Sequence, residues 1–186
     1  FGPSRAEPLA KIRRVAAENL SRSWLNAPHV TQHDEAAVTE LETFRKSHAE
    51  DAKARGLRLS PLLFLMKAVA ISLRRFPDLR SSLAPDGLSL VQKNFYHLGI
   101  AVDTREGLVV PVVRDVDQKT LYELAAEVSD LAEQARTRKL SMDAMQGGVF
   151  TISSLGGIGG TAFTPIVNAP EVGILGVSRT VTRPLW

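Results

Sequence analysis

The chain has no cysteine among its 186 residues. That excludes disulfides, thiol nucleophiles and thiolate-ligated metals, and leaves the fold to noncovalent packing. No stretch approaches the roughly 18 consecutive apolar residues of a membrane span, so none is expected. The opening Phe1-Gly2-Pro3-Ser4 is not followed by an apolar segment, which excludes a secretory leader reading of this stretch. Runs of one charge sign are also missing. The net charge is +3, with basic residues scattered apart from Arg13-Arg14, Arg74-Arg75 and the cluster Arg136, Arg138 and Lys139. With only two tyrosines and no basic stripe, a nucleic-acid partner is not expected, although a small phosphorylated ligand fits this balance. What is present is a 44% apolar content, enough for one hydrophobic core and one domain at this length.

Residues 1–9 read as a linker remnant and 10–186 as a single domain. A helix is expected over Lys11 to Trp24, with Ile12, Val15, Ala16, Asn19, Leu20 and Ser23 on one side. Val30 to Val38 has extended character. Thr39-Glu40-Leu41-Glu42 has the hydroxyl and carboxylate spacing of a capping box, opening a helix that Gly56 stops near Arg55. Ser60-Pro61 starts a strongly apolar helix that Phe76-Pro77 ends. Residues 78–89 are turn-rich. Phe95 to Val102 and Leu108 to Val113, joined at Glu106-Gly107, suggest a hairpin. Thr120-Leu121-Tyr122-Glu123 is a second capping box, and Ser141 is placed to cap a short helix near Met145. Strands are expected at Val149 to Ser153 and Val172 to Val177, with an irregular segment bracketed by Pro165 and Pro170 between them. This order predicts an α/β domain (α+β layered) with a mixed sheet flanked by helices.

The strongest candidate for chemistry is Ser153, in Phe150-Thr151-Ile152-Ser153-Ser154-Leu155-Gly156-Gly157-Ile158-Gly159-Gly160-Thr161. A hydroxyl at the end of a rigid strand, beside glycines, can steady an oxyanion, or it can simply satisfy a turn. The run is not a nucleophile elbow, since the G-x-S-x-G spacing is missing. It lacks the Lys-Ser/Thr pair of a P-loop, and no amphipathic helix opens within it as a dinucleotide fingerprint requires. His29 and His33 stand four apart, but Pro28 and the extended reading argue against a shared metal-binding face. His29 and His97 read as structural and His48 as exposed, and local sequence gives none of the four histidines a base role. Asp103, after Ile100-Ala101-Val102, reads equally as a ligand-orienting carboxylate and as a turn aspartate. Arg114, Asp115 and Asp117 read as ion-pairing residues near a helix start.

Several stretches together resemble the catalytic domain of dihydrolipoyl acyltransferases, the E2 cores of 2-oxo acid dehydrogenase complexes. They are Pro28-His29-Val30-Thr31-Gln32, Ala101-Val102-Asp103-Thr104 with Gly107-Leu108-Val109-Val110-Pro111-Val112, Phe150 to Gly157, and Asn168-Ala169-Pro170-Glu171 with Ile174-Leu175-Gly176-Val177. The resemblance covers nearly all of residues 8–186 and lies nearest the acetyltransferases of bacterial pyruvate dehydrogenase complexes. It implies a fold like chloramphenicol acetyltransferase, homotrimers built into a cubic twenty-four-subunit core, and a cytoplasmic location. It also implies acyl transfer between the thiol of dihydrolipoamide and coenzyme A, with the lipoyl group carried on a separate domain and the other enzymes of the complex as partners. By position, Ser153 matches the oxyanion-stabilising serine and removes itself from the nucleophiles. Asp103 and Phe163 match residues near the thiol channel, and Arg45 matches a coenzyme A contact.

The family's catalytic histidine stands in a D-H-R-x-x-x-G-type motif after the serine, and residues 1–186 contain no Asp-His-Arg. The expectation is therefore a catalytic domain incomplete at its C-terminus, with an exposed sheet edge and little activity as an isolated 1–186 chain. A general base contributes roughly 10²–10⁴-fold. Two alternatives stay open at this point: a noncatalytic core or assembly subunit, and a coenzyme A-dependent acyltransferase with a small-molecule acceptor.

Overall fold

The computed structural model describes residues 2–184. Residues 2–10 are exposed and carry no helix or strand. Helix α1 spans Lys11–Asn26 and lies along the later hairpin, where Ile12 and Arg13 pass close to Gly107. Ile12, Ala16 and Leu20 are half-buried and Ser23 is buried, whereas Val15 stays exposed. An extended arm follows to Val38. It forms no strand, so its extended character is realised without a partner.

The helix expected over 39–55 is two helices, α2 at Thr39–Ser47 and α3 at Ala49–Ala54, broken at His48. The expected capping box at Thr39 does not form. Val38 occupies the N-cap, and the Thr39 carbonyl instead accepts from the Thr43 hydroxyl at 2.9 Å. Gly56 does stop α3. Its φ is +71, and the Gly56 and Leu57 amides reach back to Lys53 and Ala52 at 2.9 Å each, closing the helix with a Schellman motif.

Helix α4 spans Pro61–Arg75 with proline at its start, and buries Leu63, Met66, Val69, Ala70 and Leu73. A short 3-10 turn at Pro77–Arg80 leads into β1, Ser81–Leu83, which pairs antiparallel with β2, Leu90–Gln92. This ribbon lies within and just beyond the stretch that reads as turns. The hairpin is present but divided. Its base is β3 (Leu98–Ile100) against β6 (Val112–Val113), and its tip is β4 (Val102–Thr104) against β5 (Gly107–Val109). Helix α5, Leu121–Arg136, opens with a complete Thr120–Glu123 capping box. The loop before it is drawn together by Lys67, whose ammonium donates to the carbonyls of Val116, Asp117 and Lys119 at 3.0, 3.0 and 2.9 Å. The Ser141 hydroxyl accepts from the Ala144 amide at 3.1 Å beside a 3-10 turn at Asp143–Met145.

Strands β7 (Phe150–Ser154) and β8 (Ile174–Val177) complete a four-stranded sheet in the order β6-β3-β7-β8. β6 is antiparallel to β3, while β3, β7 and β8 are parallel, so the sheet is mixed. Alternation along the strands gives it two unlike faces. Leu98, Ile100, Val113 and Ile152 point into the core against α4 and α5, joined by Leu63, Met66, Leu73 and Leu124. The other face carries Gly99, Val112, Thr151, Ser153 and Gly176, which share register positions. Instead of a helix, the irregular segment between β7 and β8 runs over it. No helix among the described residues is long and apolar enough to cross a membrane.

Candidate active site

Ser153 lies inside β7, one residue before the strand ends, rather than at its terminus. Its in-register neighbour on β8 is Gly176, and the two therefore face the same side of the sheet. A Cβ on Gly176 would stand 3.0 Å from Phe163 Cζ. The missing side chain is what lets the Phe163 ring lie over Gly176, the in-register neighbour of Ser153. Two of the four sequence-expected site residues are thus brought together by long-range folding. The paired hydroxyls have separate jobs. Ser154 Oγ accepts from the Gly156 amide at 3.4 Å within the turn, whereas Ser153 Oγ has no hydrogen-bond partner among the described residues. A half-buried hydroxyl on a rigid strand, next to an aromatic wall and with its proton uncommitted, can donate to a developing oxyanion.

The glycine turn folds back on its own strand. The amides of Ile158 and Gly159 both donate to Leu155 O at 2.9 Å. Gly159 and Gly160 have φ of +118 and +93, which a residue with a side chain rarely adopts.

Asp103 sits in the middle of β4 opposite Leu108, not in a turn, and its side chain is exposed. Ala101 donates to Ile152 O at 3.0 Å, so β3 and β7 run to the same end of the sheet. Asp103 lies three residues past Ile100 and Ser153 one past Ile152. No hydrogen bond joins Asp103 to Ser153 among the described residues. Three residues on, Glu106 pairs with Arg138.

Arg45 is already engaged. Its Nε and Nη2 donate to the Glu42 carboxylate at 3.0 and 2.7 Å, and Nη1 donates to Leu59 O at 3.3 Å. The hydrogen bond to Glu42 pushes the guanidinium up from its ordinary value and holds the carboxyl of Glu42 down. An anionic ligand at Arg45 therefore has Glu42 as its competitor.

The histidines are structural where their partners are seen. His29 Nδ1 lies 2.6 Å from Ala27 O, and Nε2 accepts from the Val167 amide at 2.9 Å. That requires the neutral Nδ1–H tautomer and ties the arm to the segment before β8. Ser23 helps, accepting from the Ala169 amide at 3.3 Å. His97 Nδ1 accepts from the Asp115 amide at 3.0 Å, and burial holds its pKa below the ordinary value. Asp117 pairs with Arg74 at 3.9 Å, and Arg114 donates to the carbonyls of Asp143 and Gln146. His48, expected to be exposed, is half-buried beside Phe44, with Nδ1 3.0 Å from Phe44 O. No His, Asp or Glu cluster able to hold a metal occurs among the described residues.

Sequence reading missed a second polar group on this face. Glu171 is only 7% exposed, and Thr151 Oγ1 donates to its Oε2 at 2.6 Å. Burial pushes the Glu171 carboxyl up to about 7, against the opposing pull of Thr151, Lys93 and Asn168. Lys93 Nζ is 2.5 Å from Ser82 Oγ, which donates to Pro170 O at 2.7 Å.

The described residues thus form a mixed sheet with α4 and α5 on one face and, on the other, a strand serine whose in-register neighbour Gly176 admits an aromatic ring. The chain belongs to the 2-oxoacid dehydrogenase acyltransferase (catalytic domain) family, whose pattern it matches over residues 1–186. It is 55% identical over its whole length to the dihydrolipoyllysine-residue acetyltransferase component of the pyruvate dehydrogenase complex of Azotobacter vinelandii, of which it covers 29%. Two solved structures superpose with a TM-score of 0.98 at 56% identity, covering all of this chain and 76% of each of theirs. One is the A. vinelandii dihydrolipoamide acetyltransferase, in which a serine, a histidine and an asparagine were examined in the catalytic mechanism. The other is the cubic core of a pyruvate dehydrogenase multienzyme complex. The chain thus spans less than a third of the length of the curated relative it matches.

Proposed function

We propose that this chain supplies the serine half of an acyltransferase site that moves an acetyl group between the thiol of dihydrolipoamide and coenzyme A. The observation that carries the reading is the Ser153 hydroxyl, without a hydrogen-bond partner among the described residues, on the face opposite the core where Phe163 covers its in-register neighbour Gly176, together with the family match over the full chain. In the direction from acetyl-coenzyme A, the thiol of dihydrolipoamide loses its proton to a base. The sulfur adds to the thioester carbonyl, forming a C–S bond and a tetrahedral oxyanion. Ser153 donates a hydrogen bond to that oxyanion. Collapse breaks the bond to the coenzyme A sulfur, which takes up a proton as it leaves. Ser153 stays uncharged throughout, so no side chain has to activate it as a nucleophile.

The base in this reading is a histidine outside residues 1–186, and 10–186 is the greater part of the catalytic domain with 1–9 as linker. Phe163 and Asp103 line the dithiol side. Arg45 lies on the coenzyme A side, where a phosphate would displace Glu42. Coenzyme A is a substrate, and the lipoyl group arrives on a separate domain. The chain assembles as a homotrimer within a cubic core of a cytoplasmic 2-oxo acid dehydrogenase complex. Exposed Trp24, Leu25 and Val30, at 53%, 82% and 95% exposure, support a subunit contact along α1 and the arm.

The test is Ser153→Ala in the full-length protein. The expected result is a fall in kcat of about 10²–10³-fold with little change in either KM. A fall below twofold overturns the reading. Isolated 1–186 is expected to show little or no transfer, and turnover near that of the full-length enzyme would contradict the placement of the base.

A further inference from the structure

We infer that Glu171 is a positioning residue, the anchor that seats the segment carrying Phe163 on the Ser153 face of the sheet. This rests on the reading of Ser153 given above and goes beyond it. Thr151 and Ser153 stand two apart on β7 and so share one face. The Thr151 hydroxyl is buried and donates to Glu171 at 2.6 Å. The carboxyl is wedged, since a Cβ on Gly148 would stand 2.9 Å from Glu171 Oε1. Behind it the Glu171 amide closes a turn onto Asn168 O at 3.0 Å. The preceding carbonyl, that of Pro170, accepts from Ser82 of the β1–β2 ribbon, and Lys93 completes the chain.

The 168–171 turn is thus held at two adjacent points, by β7 at the Glu171 carboxyl and by the ribbon at the Pro170 carbonyl. The stretch from Phe163 to Glu171 has no helix or strand to fix it. Its attachment at one end is the β8 pairing, and at the other end the ring of Phe163 rests on Gly176. In between, the Val167 and Ala169 amides donate to His29 and Ser23, and Glu171 anchors the end next to β8. A purely apolar residue at 171 would leave the Thr151 hydroxyl buried and unpaired. A hydrogen-bonded carboxyl fixes the segment in register as well as in depth.

The consequence is kinetic. Altering the Glu171–Thr151 contact shifts Phe163 relative to Ser153, which disturbs the acyl acceptor's seat without touching the coenzyme A side. In the full-length protein, Glu171→Gln and Thr151→Val, both close in shape to the native residue, are expected to raise KM for dihydrolipoamide and lower kcat by about tenfold. KM for acetyl-coenzyme A should stay within twofold, roughly the noise of such a comparison. Because both act through one contact, the double variant should lose no more than either single one.

Unchanged kinetics in both variants, or equal rises in both KM values, would overturn the inference. So would full additivity of the two losses. Ser153→Ala run alongside separates the two claims. If it is impaired while Glu171→Gln and Thr151→Val are not, the inference fails alone. If Ser153→Ala is unimpaired, the reading of Ser153 fails and this inference with it.

Discussion

The two faces of the four-stranded sheet are built by opposite rules. On one face, Leu98, Ile100, Val113 and Ile152 are at most 5% exposed and pack against α4 and α5. On the other, glycines at 99 and 176 withhold side chains so that Val110, Thr151 and Phe163 can close in, and the polar groups Thr151, Ser153 and Glu171 stand where a core would place leucines. The first face obtains its stability from apolar area removed from water, at roughly 25 cal/mol per Å². The second spends part of that on a buried carboxyl and a free hydroxyl. Adjacent residues of β7, Ile152 and Ser153, belong to different faces. Substitutions on the first should therefore change stability and leave chemistry alone, whereas truncating Ser153 on the second should do the reverse.

The largest stability effect is expected on the core face. Met66→Ala, at a fully buried position of α4, should cost about 2–5 kcal/mol in denaturant unfolding, with kcat per folded molecule unchanged. A comparable loss of kcat would break the separation of the faces. Next comes Glu171→Gln, whose stability effect depends on pH. The folded carboxyl titrates near 7 rather than at 4.5, so the folded state holds its proton after the unfolded chain has released it. Wild-type stability therefore falls as pH rises from about 4.5 to 7 and levels off above. Glutamine mimics the neutral form, so at pH 8 the variant should be more stable by up to ~3 kcal/mol, with the gap closing toward pH 4.5. A gap of constant size across that range would contradict the assignment. A variant that is both firmer and slower would be the clearest sign that this face serves function.

A smaller effect is expected at Gly176→Ala. The new methyl would meet Phe163 at 3.0 Å, costing about 1–3 kcal/mol by overpacking. Phe163→Leu in the same background should recover part of the stability, and no recovery would mean that the ring is not what the glycine accommodates. Smallest are the helix caps, remote from both faces. Thr120→Ala should cost about 1 kcal/mol, because its capping box is complete. Thr39→Ala should stay within about 0.5 kcal/mol, because Thr39 caps nothing. Equal losses at the two threonines would reverse that distinction.

The same division decides what could be read from sequence. The core face is local and periodic. The apolar spacing of α4, the Thr120–Glu123 box of α5 and the strand-forming run at Phe150 to Ser153 all announce themselves within a few residues. Thr39 has the spacing of a cap but not its place, since the arm enters α2 one residue earlier, at Val38. The β1–β2 ribbon is missed because each strand has three residues and β2 is exposed throughout, which leaves no alternation to detect. The functional face depends on separations that no window spans. Glu171 meets Thr151 across 20 residues, and Ser82 meets Pro170 across 88. Ser153 is legible because the hydroxyl and the glycine run that follows it lie within a few residues. Its neighbour Phe163 came from family resemblance, and Gly176, which admits the ring, carries no signal beyond being glycine.

The separation of faces is tested most directly by Ser153→Ala, measured for unfolding free energy and for kcat in the same full-length preparation. The expected result is stability within about 0.5 kcal/mol of wild type and kcat lower by about 10²–10³-fold. Loss of stability with kcat retained would show that Ser153 is a structural hydroxyl and that both faces of the sheet serve only to hold the fold.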